Sequence, residues 1–274
     1  MGRRGETTQA GAPRETAQTS APRGTAQTGA PRGTTQTGAP RGTTQTGAPR
    51  PGLARRLARG VLRLAWRAAA VVVAALVVLT LVGAAITPVS TLMLGRWATV
   101  QPVTRMVVPL ERIAPHVPRM VIASEDSLFC RHAGVDFDAL FAVIEAGAER
   151  GASTIPMQTA KNVFLWPQRS YLRKAVEIPL ALWLDLVWGK RRVMEVYLNV
   201  AEWGEGIFGV EAAARAHFGK NAAELTRREA ALLATALPNP RARDPGAPSG
   251  RHARLAENLM ARERGSGDIF GCVE

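Results

Sequence analysis

Between Ala68 and Gly95 the chain runs for 28 residues without a charge, in a stretch rich in alanine, valine and leucine. About twenty helical residues cross a bilayer core of roughly 30 Å, so this run predicts a membrane-spanning helix. Arg55, Arg56, Arg59, Arg63 and Arg67 precede it, whereas only Arg96 and Arg105 lie close behind. An arginine excess marks the cytoplasmic flank, which predicts a cytoplasmic N-terminus and an external C-terminal part. A cleaved leader would carry a shorter apolar stretch, nearer the start and ending in small residues. A buried helix of a soluble domain seldom stays uncharged for so long. The expectation is an uncleaved signal-anchor over residues 61–95.

Residues 1–60 cannot build a core. Ala-Pro-Arg recurs at Ala12, Ala21, Ala30, Ala39 and Ala48, a period of nine filled by glycine, threonine and glutamine. A nine-residue period could belong to a β-solenoid, but no apolar positions recur to stack inward. The composition predicts a disordered cytoplasmic tail. Twelve arginines in residues 1–67 also account for most of the net charge of +13, leaving 23 basic and 20 acidic residues beyond them. A nucleic-acid-binding module would keep its charge on the folded part, so that partner class is excluded.

Residues 96–274 have the size of one domain. Apolar residues recur there at helical spacing, as in Val193-Val196-Tyr197 and Leu225-Ala230-Leu232-Leu233, without convincing alternating strands. The fold class predicted is mainly α. Pro238, Pro240, Pro245 and Pro248 mark a loop, and a short last helix with Leu255, Leu259 and Met260 packs back. Cys130 and Cys272 form no disulfide framework or metal site. Two free thiols are expected, because Cys272 lies in a glycine-containing tail, although an oxidising compartment would let them pair.

The chemistry concentrates in about fifty residues. Glu125 and Asp126 stand near Phe129, His132 and Gly134; Ser153, Thr154, Gln158, Lys161 and Asn162 follow; then come Arg173, Lys174 and Glu177. Glu125 ends an apolar stretch, Met120-Val121-Ile122-Ala123, where desolvation raises a carboxyl pKa. Read alone, it is a helix-end glutamate satisfied by backbone N–H groups. Ser153 suits an N-cap, and Pro156 falls in the first turn, where its missing N–H costs little. Such a helix start attracts anions, and Gln158 shares a face with Lys161 and Asn162. Arg173 and Lys174 lie four and three residues before Glu177, a spacing that usually makes a surface salt-bridge ladder. His132 has no partner at ligand spacing and reads as structural.

In order and spacing these groups resemble the peptidoglycan glycosyltransferases of the lysozyme-like superfamily, in their monofunctional form. The resemblance covers about residues 105–250 and includes Lys190-Arg191-Arg192-Val193-Met194-Glu195-Val196-Tyr197-Leu198-Asn199 and the following Ala201-to-Ala213 stretch. It implies a lysozyme-like domain on a single transmembrane helix, facing the periplasm from the bacterial inner membrane. The implied reaction joins lipid II units, with a sugar hydroxyl displacing undecaprenyl diphosphate. By this resemblance Glu125 is the base and Glu177 the second catalytic carboxylate, which orients the cations, holds a divalent ion (Mg or Mn) or assists the transition state. Asp126, Ser153, Thr154, Gln158, Lys161, Asn162, Arg173 and Lys174 would bind substrate. Phe129, His132, Gly134, Glu195, Tyr197 and Asn199 would support the cleft. Implied partners are lipid II, the nascent glycan strand, the membrane and other wall-synthesis proteins.

One position departs from the pattern: Met157 stands where the family carries the first of two glutamines, which predicts weaker activity or a rearranged site if that amide touches substrate. Leu140-Phe141-Ala142-Val143-Ile144 and Phe164-Leu165-Trp166 are candidates for dipping into the membrane interface. Two rival functions follow from the same residues. A lysozyme-like hydrolase also needs paired carboxylates, but it expels no diphosphate and has no use for the cations. A non-catalytic scaffold that binds lipid II would explain Met157 and the long tail.

Overall fold

The computed structural model describes residues 51–147, 151–168, 170–267 and 269–274. The nine-residue repeats, and the disorder expected of them, lie outside the described residues. Residues Arg56–Glu274 form one unit.

The apolar run forms part of helix α1, Pro51–Ala85, which is long and apolar enough to cross a membrane. Its exposed side chains include Val61, Leu62, Val72 and Leu79. Such a surface is stable against lipid, since a helix satisfies its own backbone hydrogen bonds. The helix starts earlier than the uncharged run, at Pro51, and stops ten residues before its end. Pro88 cannot continue a helix. Ser90 then caps a separate helix, α2 (Thr91–Ala98), by accepting from the Met93 N–H at 3.1 Å. Met93 is fully buried, and Arg96 pairs with Glu202 at 3.5 Å. The last residues of the expected span therefore belong to the helical domain that follows.

That domain continues through α3 (His116–Glu125), α4 (Phe137–Glu145), α5 (Ile155–Phe164), α6 (Tyr171–Val200), α7 (Val210–Phe218), α8 (Arg227–Ala236) and α9 (Gly250–Gly265). Three short strands interrupt them: β1 (Thr104–Arg105), β2 (Glu202–Gly204) and β3 (Ile207–Phe208), with β3 parallel to β1 and antiparallel to β2. The helical reading holds for most of the domain. The strands are too short to show alternation in the sequence. At sixteen residues, α9 is longer than the short helix expected.

Helix α5 packs along α6, while α3 packs on α8 and α9. Met120, Val121 and Ile122 of α3 enter one core with Leu184, Met194 and Tyr197 of α6. Gly189 breaks α6 with φ 67°, a backbone conformation that costs glycine little. The end of α1 docks on this helix. Trp188 donates its indole N–H to the Thr80 carbonyl at 2.7 Å, and Trp183 donates to the Thr80 hydroxyl at 3.0 Å. Arg192 donates twice to the Gly83 carbonyl, at 2.8 and 3.1 Å.

The expectation of free thiols is overturned: Cys130 and Cys272 form a disulfide, with Cα atoms 5.5 Å apart. The tail that carries Cys272 is anchored because it buries two apolar residues among its glycines. Phe270 and Val273 are buried, and the Arg119 guanidinium lies 4.6 Å above the Phe270 ring. Arg119 also reaches Glu274 at 3.0 Å, and Arg191 donates to the Val273 carbonyl at 3.1 Å.

Candidate active site

Glu125 is the last residue of α3 and follows the buried run Met120 to Ala123, so its side chain lies at the edge of the apolar core. Burial raises its pKa above the ordinary carboxylate range; hydrogen bonds from Gln158 and Ser124 and the charge of Lys161 oppose that shift. The Gln158 amide donates to Oε2 at 3.1 Å, and the Ser124 hydroxyl lies 3.3 Å from Oε1. The other side of the Gln158 amide accepts from the Tyr197 hydroxyl at 3.1 Å.

Asp126 turns away from this cleft. Its carboxylate takes the His132 Nε2–H, 2.9 and 3.0 Å from its two oxygens, and accepts the Ile155 N–H at 2.9 Å. Asp126 thereby supplies the acceptor that the first amide of α5 needs. His132 joins this network. Its carbonyl accepts from Lys190 at 2.6 Å, and that ammonium sits 4.8 Å above the Phe129 ring. Gly134 has φ 82°, and a Cβ there would lie 2.7 Å from the Ala181 carbonyl oxygen. Only glycine lets this turn press against α6.

Thr154, not Ser153, caps α5, accepting from the Met157 N–H at 3.3 Å while donating to the Gly134 carbonyl at 2.7 Å. With Asp126 on the Ile155 amide, Thr154 on Met157 and proline at 156, the free donors that draw anions to a helix start are spent. The expected anion site at this terminus is replaced by side-chain cations. Met157 is fully exposed to the core and closed to solvent (0% exposed). It lies one residue from Gln158, which for α-helical geometry points it inward, so its thioether does not line the cleft.

Lys161 follows Gln158 on α5 and, among the described residues, forms no ion pair. Burial lowers its pKa, Arg173 and Lys174 lower it further, and Glu177 and Glu125 pull it back. It therefore feels both carboxylates. Arg173, Lys174 and Glu177 form a cluster that is far less exposed than a surface ladder: Glu177 is 2% exposed and Arg173 9%. One Glu177 oxygen pairs with Arg173 and the other with Lys174 at 3.1 Å. Lys174 also donates to Ser153 at 2.9 Å, tying the cluster to the loop before α5. Three cations stand against two carboxylates, Glu125 and Glu177, which leaves an excess of one positive charge for a ligand anion. With both Glu177 oxygens committed, and no three metal-type ligands grouped among the described residues, these side chains do not fit a resident divalent ion. No step below depends on one.

The remaining candidates are framework. Asn199 is fully buried and pairs with both backbone groups of Val108, each at 2.9 Å. Glu195 accepts from the Leu110 N–H at 3.1 Å and pairs with Arg192. The Asn162 carbonyl accepts from Thr91 of α2 at 3.2 Å; among the described residues its amide has no partner. The sequence reading missed that Tyr197 reaches the base through Gln158, and that Lys190 braces the His132 turn. Neither contact has a sequence signal, since both join residues distant in the chain.

A transglycosylase family model matches residues 93–263. Over 220 residues the chain is 51% identical to a biosynthetic peptidoglycan transglycosylase of Rhodopseudomonas palustris (strain HaA2), covering 78% of this chain and 96% of that one. Identity to the protein of that name from Agrobacterium fabrum is 53% over 192 residues, covering 69% and 85%. For the Rhizobium meliloti protein it is 52% over 190 residues, covering 68% and 80%. The matched span begins inside α2 and ends inside α9, so it takes in the buried Glu125 carboxylate, the cation cluster and the frame that holds them: this chain belongs to the transglycosylase family.

Proposed function

We propose that this protein is a peptidoglycan glycosyltransferase that polymerises lipid II into glycan strands, releasing undecaprenyl diphosphate. The observation that carries the proposal is the pairing of a desolvated carboxylate with an excess of cations. Glu125 takes the proton from the attacking sugar hydroxyl; a pKa raised by burial makes it a stronger base than an ordinary carboxylate. Lys161, Lys174 and Arg173 receive the charge that grows on the departing diphosphate. Glu177 holds Arg173 and Lys174 in place and limits their mutual repulsion.

Helix α1 serves as the anchor in the bacterial inner membrane, with the N-terminal arginines in the cytoplasm and the catalytic domain in the periplasm. The lipid tail of the substrate stays in the bilayer. Phe137, Phe141 and Ile144 are exposed on one face of α4, and Trp166 is exposed beyond α5, which supports membrane contact at both expected stretches. The burial of Met157 removes one of the two reasons, the other being the long tail, to read the protein as a non-catalytic scaffold.

The test is a gel assay of the purified protein in detergent with labelled lipid II, with and without chelator, beside Glu125→Gln. A ladder of polymer that vanishes in the variant is the expected result. Polymer that survives in the variant would overturn the assignment of the base. Bound but unpolymerised lipid II in the wild type would restore the scaffold reading.

A further inference from the structure

We infer that Tyr197 is a positioning residue for the reaction, fixing the orientation of the Gln158 amide so that its N–H, and not its carbonyl, faces Glu125. The inference rests on Glu125 being the base. Tyr197 projects from the second arm of α6, beyond the Gly189 break, and its side chain is 1% exposed. Its hydroxyl lies 3.1 Å from Gln158 Oε1, and Gln158 Nε2 lies 3.1 Å from Glu125 Oε2. An amide has one accepting and one donating end, so a phenol that donates to one end decides what the other presents. Burial holds the Tyr197 hydroxyl protonated well beyond its ordinary range, with the charges of Glu125 and Asp126 acting in the same direction. It therefore remains a donor throughout the pH range in which Glu125 titrates.

The relay acts on the two protonation states of Glu125 differently. The ionised carboxylate accepts from the amide N–H; a flipped amide would oppose carbonyl to carboxylate, two acceptors with no hydrogen between them. Pinning the amide thus favours ionised Glu125, the form that takes up the proton of the attacking hydroxyl. The groups facing Glu125 are Gln158 and Lys161 from α5, Tyr197 from α6, and Ser124 and Asp126 from its own helix end. Asp126 is committed to His132 and the Ile155 amide. Lys161 acts through charge alone. Tyr197 and Gln158 act through direction, which burial and charge cannot supply.

The test is the pH profile of lipid II polymerisation for wild type, Tyr197→Phe, Gln158→Ala and the double variant. Tyr197→Phe keeps the buried ring and removes only the hydroxyl. Its acidic limb is expected to move up by about one pH unit, the scale of one hydrogen bond to a charged group, with kcat reduced about tenfold. Gln158→Ala should move the limb the same way, and the double variant should move it no further, because Tyr197 acts only through Gln158. An unmoved limb in folded Tyr197→Phe would overturn the inference, as would additive shifts in the double variant. If Tyr197→Phe fails to fold, an unmoved limb in Gln158→Ala alone overturns it. Loss of polymer in Glu125→Gln stands apart from all of these, so the base and the relay fail separately.

Discussion

The Gln158 amide and the Glu125 carboxylate meet at 3.1 Å across the space between α5 and α3, joining the polar face of α5 to the proposed base. Burial raises the Glu125 pKa, and this contact restrains the rise. The base works when ionised, so activity must fall as the pH drops through its pKa. We expect the acidic limb of kcat/KM to lie above the ordinary range of a free glutamate, near 4.5. A limb at or below that value would show that desolvation does not govern this carboxylate.

The same burial has a cost in stability. A carboxyl whose folded pKa is raised is least favourable to the fold above that pKa, and its handicap vanishes below its unfolded pKa. Glu125→Gln keeps the shape and an acceptor for the Gln158 N–H while removing the charge. The variant should be more stable than wild type at neutral pH by on the order of 1 kcal/mol. The advantage should shrink as the pH falls through the Glu125 pKa. Thermal melts of both proteins at neutral and mildly acidic pH measure it; a variant less stable at neutral pH would refute it.

Lys161 sets the alkaline side. Burial and two neighbouring cations lower its pKa from 10.5, and diphosphate binding needs it charged. Activity should therefore fall as the pH rises through a value below the ordinary lysine range. Lys161→Met should lower kcat/KM about ten- to a hundredfold, the scale of one charged hydrogen bond. Lys161→Arg should hold its charge to higher pH and move the alkaline limb upward. An alkaline limb that stays in place in Lys161→Arg would assign it to another group.

The helical class, the long apolar helix α1 and the order of the site groups were legible in the sequence because each depends on local pattern. An uncharged run announces α1, three- and four-residue spacing announces the buried faces of α6 and α8, and Arg173, Lys174 and Glu177 fall on one face by arithmetic. Depth was not legible. The spacing that makes Glu177 a salt-bridge partner is the same on a surface or in a core, and here α5 covers it. Asp126 carries the same ambiguity: nothing in Glu125-Asp126 says which carboxylate faces the cleft until the Ile155 amide claims one. Tyr197, 39 residues from Gln158, lies beyond any local pattern.

The disulfide offers the most direct check on the part of the fold the sequence reading got wrong. Cys130 sits in the turn between Glu125 and His132, and Cys272 sits in the last residues, 142 positions away. A crosslink over a loop of that length removes chain entropy from the unfolded state, worth up to about 5 kcal/mol on the chain-entropy model. The tail has other holds: the buried Phe270 ring beneath Arg119, and the Arg119 and Arg191 contacts to Glu274 and Val273. A variant lacking both sulfurs, Cys130→Ser with Cys272→Ser, should therefore still fold but melt well below wild type, by about 2–4 kcal/mol. Part of that loss should fall on activity, because the Cys130 turn carries Phe129 and His132 and so supports Asp126 and the start of α5. Non-reducing peptide mapping of protein taken from the membrane, followed by melts with and without reductant, measures both. A free Cys130 thiol in active protein would show that the tail is held by Phe270 and the arginines alone.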